Sequence, residues 1–293
     1  MASFLKIHPL ERADIPLVTA WARAEGFAPG AGDVAIYRQS DRQGLWLGWL
    51  GQEPVGCVAG VRYNEAYGFL GLYLVRPEHR GRGYGVQLWR HAMAHLEDLP
   101  CVGLEAAPER VDDYAGWGFR PASPTTRWQR LQEGDGPPPP SPPPGEPLLL
   151  EGAAIPRTAV QIFDARREPT PRPHFLAQWL DHPAGTVLAL VDGAGDCHGF
   201  GRIRPCLLRR GEGWRIGPLL AESTEAARRL LQGLIHRHPG VVLLDAPGAN
   251  PAAAPLLESL GFRPISHTLR MYRGTAPDVP LTDVYGLACL ELG

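Results

Sequence analysis

Apolar residues return along the first part of the chain with two alternating periods. From Glu11 to Glu25 they recur every three to four residues, with Leu17, Val18, Trp21 and Ala22 on one face, which predicts an amphipathic helix. Leu45 to Leu50 and Val55 to Tyr63 are short apolar runs, and the turn Gly51-Gln52-Glu53-Pro54 between them predicts an antiparallel hairpin. A third strand is expected from Phe69 to Val75. A tight turn then opens a helix from Gly83 to about Leu96, whose Leu88, Trp89, Ala92, Met93 and Leu96 share a face. Val102 to Ala106 reads as a strand, Glu109 to Trp117 as a helix closed by Gly118, and Phe119 to Leu131 as extended chain. Antiparallel strands followed by helix, strand and helix predict an α+β fold, a mostly antiparallel mixed sheet flanked by helices.

The second part repeats this order. Strands are expected at 186–191, 198–206 and 214–220, a helix at 224–237 and a strand at 241–245. The last helix has Asn250 as N-cap, Pro251 in its first turn and Gly261 just past its end. Thr268 to Tyr272 and Val284 to Leu290 read as a closing strand pair. Gly118-Phe119-Arg120-Pro121 recurs as Gly261-Phe262-Arg263-Pro264, the same spacing carries Gly56 onto Gly199, and Leu104-Glu105-Ala106 is echoed by Leu244-Asp245-Ala246. A duplicated fold accounts for these echoes. Between the copies, Gly136 to Gly145 is nearly all proline and predicts a stiff polyproline II spacer about 25 Å long. The expected division is therefore a domain at 1–131, a linker at 132–147 and a second domain at 148–293.

Composition narrows the class. At 44% hydrophobic and 20% charged residues, the chain has the profile of a globular protein with a real core. A formal charge of −2 gives no field for nucleic acid or an anionic membrane, and neither is expected as a partner. The five cysteines show no metal-binding or redox spacing, and Cys57, Cys101 and Cys289 lie in apolar runs. With no leader-like or membrane-spanning run, a cytoplasmic location is expected.

The chemistry concentrates at Val75-Arg76-Pro77-Glu78-His79-Arg80-Gly81-Arg82-Gly83-Tyr84-Gly85-Val86. Three glycines at alternate positions let successive amides turn inward at the start of a helix, whose dipole adds to the site, so the turn suits a pyrophosphate. Arg80 and Arg82 add charge at the rim. A P-loop would need Gly-Lys-Ser/Thr here, and neither follows Gly85. A dinucleotide fingerprint would need Gly or Ala where Val86 stands, although Glu105 lies at the distance of a ribose ligand; that reading is the runner-up.

The sequence resembles the GNAT superfamily of acyl-CoA-dependent N-acetyltransferases. Arg80-Gly81-Arg82-Gly83-Tyr84-Gly85 fits the family's Arg/Gln-x-x-Gly-x-Gly/Ala turn, and Asp113-Tyr114-Ala115-Gly116-Trp117-Gly118-Phe119 looks like its later helix. The resemblance implies that backbone at Leu74 and Val75 pairs with the pantetheine arm of acetyl-CoA. It implies that the amides from Arg80 to Gly85 hold the pyrophosphate, and that Tyr114 protonates the leaving thiolate. A phenol with pKa about 10 stays neutral at pH 7 and can give up that proton. The acceptor would be a primary amine of a small molecule or peptide, attacking directly. Such an amine must first lose a proton, and Glu105, opposite the apolar face of its strand, is the first candidate base. Glu25, Asp33 and Tyr73 are expected to line the acceptor pocket.

His91 and His95 have metal-ligand spacing on a helix but no third ligand, and solvated histidines are expected. In the second part, Glu222 occupies the place of the phosphate turn and Leu257 that of the tyrosine. That half looks like a GNAT domain without cofactor binding, similar to bacterial tandem members of the superfamily. It is expected to wall the acceptor site, through Asp245, or to serve as an assembly surface; a homodimer is compatible with this. A non-catalytic acyl-CoA sensor and a nucleotide-dependent oxidoreductase are the competing functions.

Overall fold

A computed structural model describes residues 5–136, 138 and 142–293. The predicted polyproline spacer lies largely outside them. The first half runs β1 (Lys6–Pro9), α1 (Ile15–Glu25), α2 (Asp33–Ser40), β2 (Leu45–Leu50), β3 (Glu53–Arg62), β4 (Tyr67–Val75), α3 (Tyr84–His95), β5 (Cys101–Ala106), α4 (Val111–Ala115) and β6 (Arg120–Gln132). The second runs β7 (Leu148–Glu151), α5 (Arg157–Ala165), α6 (Pro173–Asp181), β8 (Thr186–Val191), β9 (Cys197–Leu207), β10 (Glu212–Ala221), α7 (Thr224–His236), β11 (Gly240–Pro247), α8 (Ala253–Ser259), β12 (Arg263–Gly274) and β13 (Val284–Gly286).

The predicted apolar face of α3 is the buried one: Leu88, Trp89, Ala92 and Met93, with Leu96 just beyond the helix, pack over β2, β3 and β4. Each contributes on the order of 1.5–3 kcal/mol where a large side chain leaves water. On the opposite face of the sheet, α1 and α2 cover Leu47, Cys57, Ala59, Leu72 and Leu74. The second half builds its own core under α7 and α8. Among the described residues no helix is long and apolar enough to cross a membrane.

All twelve long strands form one continuous sheet in the order β1-β2-β3-β4-β5-β12-β6-β11-β10-β9-β8-β7. Each half thus gives its last strand to the other: β12 lies against β5, and β6 lies against β11. The order is pseudo-symmetric about the β12–β6 pair, as duplication requires. The expected closing strand pair does not form, because β12 pairs with β5 and β6, whereas β13 pairs with β10. A strand's alternation shows which face is apolar but names no partner, and no short turn joins these two segments.

Among the described residues, only β4–β5 and β10–β11 are parallel pairs. Both part early. In the first half the last pair is Leu70 with Leu104, and in the second it is Ile216 with Leu244. The first wedge stays open. In the second, β13 runs beside β10, and the Leu287 amide donates to the Asp245 carbonyl at 2.8 Å, so the chain itself occupies the gap.

Candidate active site

Beyond Val75 the chain makes a short turn at Pro77–His79 and then needs backbone that only glycine adopts easily: φ is +72° at Gly81 and +79° at Gly83. Gly83 is the N-cap of α3 and brings no side chain to cap it. The Arg80 amide donates to the Pro77 carbonyl at 3.2 Å, and the helical ladder begins with the Gln87 amide on the Gly83 carbonyl. Among the described residues, no protein acceptor meets the amides from Gly81 to Val86. The donor row therefore starts one residue later than the sequence implied. It stands at the positive end of a twelve-residue helix, the arrangement that holds a pyrophosphate. Gly85 leaves room for the Tyr73 hydroxyl, which a Cβ there would approach to 2.5 Å. Arg80 closes the rim by donating from Nε to the Val75 carbonyl at 2.8 Å and by pairing with Glu25.

These amides open into a cavity of about 880 Å³ that follows the wedge between β4 and β5. Opposite Val58 of β3 stand both Leu72 and Tyr73, a β-bulge with φ of +45° at Leu72 that turns the strand at the wedge. Leu74 and Val75 line the cavity, as do Tyr73, Trp89 and Tyr114. Trp89 packs between the two phenols, its ring 5.7 Å from Tyr73 and 5.0 Å from Tyr114. Burial pushes both phenols up to about 12, with Arg110 opposing the shift at Tyr114. Both are protonated donors at neutral pH.

The rest of the lining is supplied by both halves. Glu25 ends α1 and is followed by Gly26 and Phe27, Ser266 to Thr268 come from the inserted β12, and Leu290 and Glu291 from the segment after β13. Arg127 fixes this wall. It grips Asp245 with Nε and Nη2 at 2.7 and 3.0 Å, while its Nη1 donates to the carbonyls of Gly26 and Phe27. Arg215 reaches the same Asp245 and the carbonyls of Phe27 and Ala28. Burial alone would raise the Asp245 carboxyl, but Arg127 and Arg215 outweigh it and hold it down to about 2.

Several sequence expectations need correcting at this point. Asp245 is 1% exposed and supports the wall from behind without forming it. Asp33 is equally buried, paired with Arg204 through both oxygens at 2.7 and 2.8 Å, and does not line the cavity. Glu105 does line it, but its carboxylate accepts from Arg270 and Thr268 at 2.7 Å and from Thr125 at 3.1 Å, tying β5 to its neighbour β12 and to β6 beyond it. Glu25 and Tyr73 line the cavity. His91 and His95 are not merely solvated: both rings stand edge-on to Trp46, and His95 pairs with Asp41 at 2.9 Å. Arg127, Arg215 and Glu291 were missed. Their signal was a charge set inside an apolar strand or tail, which implies a buried partner.

In the second half the corresponding helix, α7, is capped by its own Ser223, whose hydroxyl accepts from the Ala226 amide at 3.2 Å. Glu222 beside it is held by Arg167 and His198. Leu257 is fully buried in the core. None of these groups is arranged to receive an anion.

Comparison with known proteins agrees with this division. A model described as the acetyltransferase (GNAT) family matches residues 15–115, and one described as an acetyltransferase (GNAT) domain matches residues 160–286. Holothin acyltransferase from Pseudoalteromonas sp. (strain SANK 73390) is 30% identical over 292 residues, covering 97% of this chain and 93% of that protein. A putative acetyltransferase from Pyrococcus horikoshii superposes with a TM-score of 0.80 at 21% identity, covering 99% and 96% of the two chains. A tandem GNAT protein from the clavulanic acid biosynthesis pathway gives 0.63 at 17% identity, covering 94% and 100%. At these identities the two structures show the shared fold.

Proposed function

The chain belongs to the GNAT acyltransferases, and from that premise we propose that it transfers an acetyl group from acetyl-CoA to a primary amine of a small molecule by direct attack. The observation that carries this reading is a single cavity lined by an unclaimed row of amides and walled by residues from both halves. Gly81 to Val86 would hold the pyrophosphate, and backbone at Leu74 and Val75 would guide the pantetheine arm into the wedge. Tyr114, protonated and packed on Trp89, would give its proton to the departing sulfur. The runner-up oxidoreductase reading is set aside by the family membership.

A small acceptor is favoured by enclosure. β12 and the segment after β13 add to the wall, and the volume is that of a small-ligand pocket, which typically spans about 300–1,000 Å³. The relative named for holothin, itself an acyltransferase of a named compound, supports the same class. The test is thiol release from acetyl-CoA against a panel of small amines and peptides with free N-termini. Turnover confined to small amines is expected. Turnover only with peptides overturns the acceptor class, and tight acetyl-CoA binding without any thiol release overturns the reaction.

A further inference from the structure

The transfer reaction proposed above requires a group that takes the acceptor's proton, because an alkylammonium has no lone pair to attack with. Five acidic residues line the cavity: Glu25, Glu105, Glu109, Asp113 and Glu291. Glu25 is paired with Arg80 at the rim, and Glu105 already accepts three hydrogen bonds, two of them at 2.7 Å. Glu109 and Asp113 are exposed beside α4, with Asp113 on Arg110. Glu291 differs from all four. It is 5% exposed, yet its contacts are long: 3.2 Å from the Tyr37 hydroxyl and 3.4 Å from each terminal nitrogen of Arg215.

Its position is fixed by backbone packing. Gly71 is the first residue of β4 past the last pair with β5, and a Cβ there would overlap the carbonyl of Glu291. The tail therefore crosses the wedge at its apex. Its neighbours Cys289 and Leu292 pack into the core on the α1–α2 face, whereas Tyr114 packs with the α3 core on the other face. A thioester in the wedge would have Tyr114 on one side and Glu291 on the other.

We propose that Glu291, supplied by the second half, is the group that takes the proton from the acceptor amine. The ammonium gives one proton to the Glu291 carboxylate, and the freed nitrogen lone pair forms the C–N bond to the thioester carbon. As the C–S bond breaks, the sulfur takes the Tyr114 proton, and the second proton on nitrogen replaces it on the phenolate. The products are an amide, a thiol and one proton, which leaves Glu291 for solvent.

The groups facing Glu291 are Tyr37 on α2, Arg215 on β10 and Cys289 on its own segment, with Asp33, Asp245, Arg204 and Arg127 one or two contacts further. Burial pushes Tyr37 well up and Cys289 up to about 12, and their ion pairs hold Asp33 low and Asp245 at about 2. None of these four changes charge near neutrality.

The test uses the full chain with an amine that the wild-type protein acetylates. Glu291→Gln keeps the shape, and is expected to lower kcat at pH 7 by about 100-fold or more. The deficit should shrink as pH nears the acceptor's own pKa, with acetyl-CoA Kd unchanged to within about twofold. Glu291→Asp should recover part of the rate. Glu105→Gln should lower the melting temperature and leave the shape of the pH profile unchanged. Wild-type kcat and pH profile in Glu291→Gln overturn the proposal, as does an equal loss of acetyl-CoA binding and turnover. A wild-type protein that releases no thiol with any amine overturns the reaction itself, a result separable from either.

Discussion

The fourth and fifth strands of each half part after a few residues, and the two wedges are used in opposite ways. Between β4 and β5 there is a cavity headed by a helix whose first amides have no protein acceptor among the described residues. Between β10 and β11 lies β13, and the helix above is capped by Ser223 with Glu222 beside it. Strand order alone therefore does not make a half competent. The first half has an uncapped helix start, an open wedge and a tyrosine lining it, and the second half has a cap, a filled wedge and a buried leucine in their place.

The most damaging way to break this division is to cut the link between the halves. Arg215→Met strands Glu291 and weakens the hold on Asp245, and denaturant unfolding should show a loss of about 3–5 kcal/mol, as when one partner of a buried ion pair is removed. Gly83→Glu gives the first turn the charge of the second. Strain at positive φ of about 1–3 kcal/mol plus charge repulsion should weaken acetyl-CoA binding by about 100-fold or more in calorimetry. The mirror change, Glu222→Gly, should leave binding at one acetyl-CoA per chain. Tyr114→Phe should lower kcat by about 100-fold with Kd unchanged, and full turnover at every pH would remove its role. Leu257→Tyr, which puts the phenol into the second half, should only overpack that core at a cost of about 1–3 kcal/mol and create no activity.

The smallest effect is expected from pH. Asp33 and Asp245 have carboxyls depressed on folding by their arginines, so their contribution is complete above the unfolded value and is lost as pH falls through the folded one. The melting temperature should be flat from about pH 5 to 7 and fall between about pH 4 and 2.

The glycine turn, α3 and Tyr114 were legible because their signals are local: a spacing, a period and a residue beside Gly-Phe. The hairpin β2–β3 was legible for the same reason. α2 was not, because its buried face mixes Asp33 and Tyr37 with Val34 and Ile36, so polar and apolar positions do not separate by period. Glu105 was placed on the correct side of its strand, but the hydroxyls and guanidinium that engage it sit on strands distant in sequence. Glu291 and Arg127 meet partners far away in sequence, Tyr37 and Arg215 for the one and Asp245, Gly26 and Phe27 for the other, and no spacing along the chain encodes those.

The exchange of β6 and β12 has a consequence for synthesis. The strand that must lie between β5 and β6 is made more than a hundred residues after them. A nascent chain released to fold early would expose the flanks of both strands, a surface on which two unfinished copies could meet. The cavity has its full lining only once Leu290 and Glu291 have been made, so both halves must be present before its wall is complete.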